Sequence, residues 1–415
     1  MAELQPVRGT HDLLPDEMRA HACVVEIAED VASRYGFDRM ATPIFEFAHV
    51  FKRTLGDTSD VVTKEMYEFT DRGGDDITLR PEGTAGAARA FLSNGLQQAV
   101  PVRWFYAGPM FRYERPQKGR LRQFHQIGVE LIGATQPLGD VEVIACGQAI
   151  LNALGLEGKT TLELNTLGDT DSRNAYRGAL VSYFTGHKAK LSEDSLNRLD
   201  KNPMRILDSK DEGDRALVAD APLFDDFLNE TSRDFFRMVT DGLDAAGVVW
   251  SRNPRLVRGL DYYSHTAFEF TTTALGSQGT VMAGGRYDGL IGMMGGPATP
   301  GVGWAAGIER LSMLLAEPPA APRPVAMVPV GAEAEIKALT LAEELRRAGI
   351  RVDLGYSGNV KKRMQRANKA NATHAVLIGE DEIAAGQATL RNLTDGGETR
   401  IAFDQLAAAL KADLG

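Results

Sequence analysis

Residues 103–133, RWFYAGPMFRYERPQKGRLRQFHQIGVELIG, hold two strand-like runs around a loop bearing Arg112, Arg115, Lys118, Arg120 and Arg122. In the second run Phe124, Gln126, Gly128 and Glu130 alternate with Ile127, Val129 and Leu131. A period of two sends the polar set to one face and the apolar set to the other, so this stretch reads as a strand backed by a core. Its open face then carries a carboxylate, an amide and an aromatic ring. Cations at the tip suit a polyphosphate held above a small polar ligand. The same residues also fit a plain surface hairpin with a solvated basic tip.

A chain of 415 residues predicts two or three domains, and 43% hydrophobic with 25% charged residues is the composition of an ordinary globular protein. A net charge of −10 argues against coating nucleic acid through bulk charge, while leaving room for a local basic track. The two cysteines, Cys23 and Cys146, have no CxxC or Cys/His spacing, so neither a disulfide framework nor a structural zinc site is expected. The start, MAELQPVRGTHDLLPDE, lacks the apolar core of a signal peptide, and no run approaches the ~18 apolar residues of a membrane span. A cytoplasmic protein without membrane association is the expectation.

Four prolines in EPPAAPRP (317–324) exclude helix and read as a linker. Beyond it, PVAMVPVG, RVDLGY and THAVLIGE alternate with two amphipathic helical stretches, predicting a parallel-sheet α/β domain over 325–415. Upstream, Ala20, Val24, Ile27, Val31 and Tyr35 recur at helical spacing, Gly36 ends that helix, and RMATPIFEF reads as an edge strand carrying Pro43. Residues 171–230 are charged and helix-like, an excursion between strand-rich parts. Strands are expected again at 247–250, 262–273 and 279–283. Residues 1–320 thus read as α+β around a mostly antiparallel sheet.

Several segments carry chemistry. In TLRPEGTAG (78–86), Glu82 and Thr84 sit at a strand-to-helix junction. They either receive an ammonium group or cap the helix and favour its positive end. In RGLDYYSHTAFEF, Arg258 could meet a carboxylate or phosphoryl oxygen and Tyr263 a ring nitrogen, or the tyrosines simply pack. AGGRYDGLIGMMGG allows close backbone approach, but the chain has neither GxGxxG between strand and helix nor GxxxxGK[ST]. Arg310 opens a helix in GVGWAAGIERL, where a cation opposes the macrodipole; stacking on a base, pairing with phosphate or a neighbouring carboxylate would explain it. No Ser/His/Asp or Cys/His nucleophile stands out, and the seven histidines look scattered, with no metal-ligand set expected. Five basic residues in 361–369 fit a solvated face or an RNA contact.

Together these segments resemble the histidyl-tRNA synthetase family of class II aminoacyl-tRNA synthetases. Residues 16–47 resemble the class's dimer-forming motif 1, residues 103–133 motif 2, and GVGWAAGIERL motif 3. TLRPEGTA, RGLDYY and AGGRYDGL are similar to the family's histidine signatures. LDKNPMRILDSKDE resembles its helical insertion, with Ser209 where cysteine is often seen, and 325–415 its anticodon-binding domain. The resemblance implies ATP-dependent attachment of histidine to histidine tRNA by a homodimer, with Mg2+ bridging the ATP phosphates. It implies that Glu82, Thr84 and Gln126 hold the histidine α-amino group. Glu130 and Tyr263 would face the imidazole, with Tyr262 and Tyr287 completing the pocket. Arg258 and Arg112 would be catalytic at the α-phosphate and Arg120 would bind the γ-phosphate. Phe124 and Arg310 would sandwich adenine beside Glu130. Arg115 and Gln117 would meet the acceptor stem, and Lys361, Lys362 and Arg363 the RNA. Leu121 stands where many relatives have tyrosine. The other reading is a non-catalytic paralogue, such as the regulatory subunit of ATP phosphoribosyltransferase, which keeps this fold but degrades the ATP and histidine signatures.

Overall fold

A computed structural model describes residues 4–56, 59, 61–117, 119–257, 262–276, 279–317 and 319–414. The chain divides into two compact units, Met1–Pro319 and Ala320–Gly415.

The first unit is built on eight strands. Across the sheet they run Asp38–Arg39, Val102–Phe111, Gln123–Ile132, Gly301–Gly307, Thr280–Arg286, Ser264–Thr271, Thr161–Thr166 and Ser251–Arg252. The six central strands are antiparallel and the two outermost pairings are parallel. The basic hairpin lies in this sheet, with Val102 opposite Ile132 and Phe111 opposite Gln123. Its alternation has the expected effect: Ile127, Val129 and Leu131 are buried in a core shared with Phe105, Phe268, Phe270 and Trp304. Helix Pro137–Ala153 packs on that face, joined by helix Glu230–Ala245.

The first helix, Pro15–Arg34, starts at a proline, carries Asp16 and Glu17 in its first turn, and buries Ala20, Val24, Ala28 and Val31. The stripe passes through Ala28, leaving Ile27 and Tyr35 only half-buried. Gly36, at φ +77°, lets the chain turn back toward the sheet. RMATPIFEF does not form one strand: Pro43 lies in the break between Asp38–Arg39 and Phe45–Phe47. The latter joins a separate three-stranded sheet with Asp76–Leu79 and Tyr67–Thr70. The region after residue 169 is helical, with Asp169, Ser192, Asp211 and Asn229 capping successive helices and a small core of Tyr176, Leu180, Phe184, Ile206 and Phe224. The strand expected at 247–250 is only Ser251–Arg252.

The second unit has five strands. Val352–Leu354, Val325–Pro329 and His374–Ile378 are parallel, as the alternating helices require. Gln387–Asn392 and Glu398–Ala402 extend the sheet as an antiparallel hairpin, so the sheet is mixed, not purely parallel.

Candidate active site

The sheet face opposite the main core holds a cavity of about 270 Å³. Its wall includes Glu82, Thr84, Arg112, Glu114, Arg120, Leu121, Phe124, Gln126, Tyr262, Tyr263 and Arg310. Residues spread over more than 200 positions of sequence thus converge because neighbouring strands carry them: Gln126 pairs with Gly307, and Glu130 with Gly303.

At one end a carboxylate is fastened by hydroxyl groups. Glu130 is fully buried; its Oε1 accepts from the Thr84 hydroxyl at 2.7 Å and the Tyr106 hydroxyl at 3.3 Å, and its Oε2 from the Tyr287 hydroxyl at 2.5 Å. Burial pushes the Glu130 carboxyl up to about 8, and these hydrogen bonds offset only part of that. Glu82 accepts from the backbone N–H groups of Thr84 and Ala85 at the start of helix Thr84–Ser93. Burial still raises its carboxyl above the usual range. The capping role falls to Glu82, and the Thr84 side chain is turned to Glu130 instead. Tyr262 and Tyr263 pack ring to ring at 4.6 Å, with Tyr287 edge-on to Tyr262. The Gln126 Oε1 is buried with no hydrogen-bond partner among the described residues, and Gln126 lines the cavity wall, a polar group of the kind a bound donor satisfies.

Two glycines make room for this cluster. A Cβ at Gly303 would overlap the Glu130 carboxylate, and one at Gly128 would overlap the Tyr106 ring. Arg286 has a supporting role. With Asp140 it forms an ion pair in which both side chains are fully buried, and its guanidinium also donates to the carbonyls of Ala134 and Gln136. The adjoining Tyr287 is thereby pinned against Glu130.

The other end is cationic. Arg120 pairs with Glu114 at 3.0 Å, Arg112 lies 4.0 Å from the same carboxylate, and the Arg112 Nε donates to the Pro81 carbonyl. The Arg112 guanidinium also sits over the Phe124 ring at 5.3 Å. Arg310 donates to the carbonyls of Gly119 and Thr280. Burial lowers its pKa, and Arg120 and Arg112 push the same way. The remaining tip residues diverge: Arg122 stacks on Tyr113 at 3.8 Å, while Arg115 and the neutral Gln117 are exposed. Arg258 and Lys118 lie outside the described residues. In the second unit Lys361 and Lys362 are exposed, whereas Arg363 is buried, donating to the Gly355 and Gly358 carbonyls and paired with Glu335. Arg363 therefore serves the fold of its own unit, and only the two lysines of that trio face solvent.

Sequence reasoning overlooked Tyr106 and Glu114. Tyr106 stands in an apolar run, and only the pairing of Tyr106 with Gly128 exposes its role. Glu114 had a signal, as the lone acid among the tip's arginines. The arrangement as a whole offers a hydrogen-bonding floor for a small polar ring beside an anion-binding wall.

Comparison with known proteins matches these elements. A family model described as Histidyl-tRNA synthetase matches residues 9–311, and an Anticodon binding domain model matches residues 324–413. A Histidine–tRNA ligase of Rhodospirillum rubrum is 65% identical over 402 residues, 97% of each chain. The structure of apo Staphylococcus aureus histidyl-tRNA synthetase is similar, with a TM-score of 0.83, 33% identity, and 99% of this chain and 100% of that one covered. A Bacillus halodurans structure described as an ATP phosphoribosyltransferase regulatory subunit/histidyl-tRNA synthetase shares the fold, with a TM-score of 0.66 over 91% of this chain and 99% of that one, at 22% identity.

Proposed function

The chain belongs to the histidyl-tRNA synthetase family, and on that premise we propose that the cavity activates histidine with ATP and passes it to histidine tRNA. The histidine carboxylate attacks the α-phosphorus of ATP; a new P–O bond forms, the bond to the β-phosphate oxygen breaks, and pyrophosphate leaves. The 3′-terminal hydroxyl of the tRNA then attacks the acyl carbon and AMP departs. The attacking carboxylate is already a nucleophile, so the protein's work is positioning and charge neutralisation.

The observation that carries this reading is one cavity walled by Arg112 and Arg120 at one end and, at the other, by Gln126, Tyr263 and the Thr84 that hydrogen-bonds buried Glu130. Glu130 and Tyr263 would read the two imidazole nitrogens, with Tyr262 and Tyr287 closing the ring slot. Glu82, Thr84 and Gln126 would take the ammonium group. An aliphatic amino acid leaves these buried polar groups unpaired, which is a strong basis for rejection. Arg112 would neutralise the α-phosphate and Arg120 the γ-phosphate, exchanging Glu114 for phosphate oxygens. Phe124 and Arg310 would stack on adenine. Arg258 completes the catalytic set by resemblance of RGLDYY alone. Mg2+ would arrive with ATP and offset part of its phosphate charge. Arg115 and Gln117 would meet the acceptor stem, and Lys361 and Lys362 the anticodon arm.

A homodimer fits an inverted strand. In Phe45–Phe47 the charged Glu46 is buried against Arg89, while Phe45 and Phe47 are 59% and 46% exposed, an apolar face suited to a second copy. The non-catalytic alternative is not favoured, because relatives covering nearly the whole chain at high identity are histidine–tRNA ligases. Amino-acid-dependent ATP–pyrophosphate exchange with all twenty amino acids tests the proposal. Exchange with histidine alone, collapsing in Arg258→Ala, supports it; folded protein that exchanges with none refutes it.

A further inference from the structure

Behind the adenine-facing wall, three side chains from three separate elements meet. His21 comes from the first helix, His125 from the strand between Phe124 and Gln126, and Glu309 from the turn of helix just before Arg310. One ligand atom from each lies within 4.8 Å of the other two. The His125 Nδ1 is 2.9 Å from the Glu309 Oε1, and the rings of His21 and His125 meet edge to face at 5.4 Å. His21 is only 6% exposed, yet its imidazole has no hydrogen-bond partner among the described residues. It faces a cavity of about 460 Å³ that His11, Asp16, Glu17, Leu121 and Met313 also line.

We propose that His21, His125 and Glu309 form a site for a divalent cation of the zinc class, open to this cavity on its fourth side. Two imidazoles and a carboxylate are a donor set that zinc accepts, and three protein ligands with one open position is a recurrent zinc geometry. Asp16 and Glu17 on the cavity wall add a field that attracts a cation.

The placement gives the ion a supporting or controlling role outside the chemistry. Glu309 already accepts from the His125 backbone N–H at 2.9 Å, tying the strand that carries Phe124 and Gln126 to the helix that carries Arg310. A bound cation would tighten that tie.

The test uses the full-length protein, freed of metal by a chelator and titrated with Zn2+ by calorimetry. One ion per chain is expected, bound at least about tenfold more weakly by His21→Gln and unchanged in the control His187→Gln, whose histidine packs on Tyr183 in the helical region. Melting curves without metal check that both variants fold. X-ray absorption at the zinc edge on the wild type reads the ligands without any substitution. Two imidazoles and no sulfur support the site. Equal affinity in His21→Gln, a thiolate ligand, or an oxygen-only shell overturns it.

Discussion

The two ends of the candidate active site are built on opposite plans. The Glu130 carboxylate is held by three hydroxyl groups and the tyrosine rings by one another, with glycines leaving room for the cluster. Around Arg112, Arg120 and Arg310 the cations rest on main-chain carbonyls and on the Glu114 carboxylate. The first end is rigid before anything binds, which suits discrimination between similar small molecules. The second exchanges one anion for another, which suits a polyphosphate that arrives, reacts and leaves in pieces.

That contrast can be broken experimentally. Arg112→Ala should lower the exchange rate by about 10²–10³-fold at saturating substrates, the scale for losing one transition-state donor. Glu130→Gln should lower kcat/KM for histidine by about 10²-fold while leaving the KM for ATP nearly unchanged. If saturating histidine restores full rate in Glu130→Gln, the rigid end is only a binding surface and the contrast fails. Arg120→Ala should behave the other way, raising the KM for ATP about tenfold and recovering at high ATP. Failure to recover would place Arg120 in the same rigid class as Glu130.

Stability sharpens the comparison further. Gly303→Ala should destabilise the protein by about 1–3 kcal/mol, because the added methyl group displaces the Glu130 carboxylate. Thermal melts measure it, and an unchanged melt would mean the cluster is softer than its packing implies. A smaller effect concerns pH. The Glu130 carboxyl is held near 8 in the folded protein against 4.5 ordinarily, so the folded state keeps an extra proton between those values. Stability contributed by that group is full below about 4.5 and is lost as pH rises through about 8. The melting temperature of Glu130→Gln should therefore gain on the wild type between pH ~4.5 and ~8 and level off above that; parallel curves would contradict it.

Much of this was legible in residue order, for identifiable reasons. Alternation in FHQIGVELI determines which side chains share a face, so spacing alone aims Gln126 and Glu130 at one site. The proline-rich stretch and the alternating segments after it likewise announce a separate α/β sheet. Strand order is another matter. Whether Gly303 lies beside Glu130, or Gly128 beside Tyr106, depends on pairing over long separations, and local patterns say nothing about that. The glycines of GVGWAAG read only as the spacing of a strand; Gly303 in fact clears space for a side chain of the neighbouring one. His21 shows the same limit, since an apolar helix stripe gives no hint that its one histidine meets His125 and Glu309. The hairpin of Gln387–Asn392 and Glu398–Ala402 was missed because its polar residues mask the alternation.

The buried pair of Arg286 and Asp140 has an implication for how this chain can vary. The two residues stand 146 positions apart and share one solvent-excluded contact. Losing Arg286 strands the buried Asp140 charge, at a cost of about 3–5 kcal/mol, and losing Asp140 leaves Arg286 only the partly exposed Asp288, 3.1 Å away, whereas exchanging both for a well-packed apolar pair need cost little. Drift through single substitutions is thus blocked at both positions, although neither residue is assigned a contact with substrate. Among natural variants the two should be kept together or replaced together, so a genetic screen for suppressors of Asp140→Ala should return changes at position 286 before any in the cavity itself.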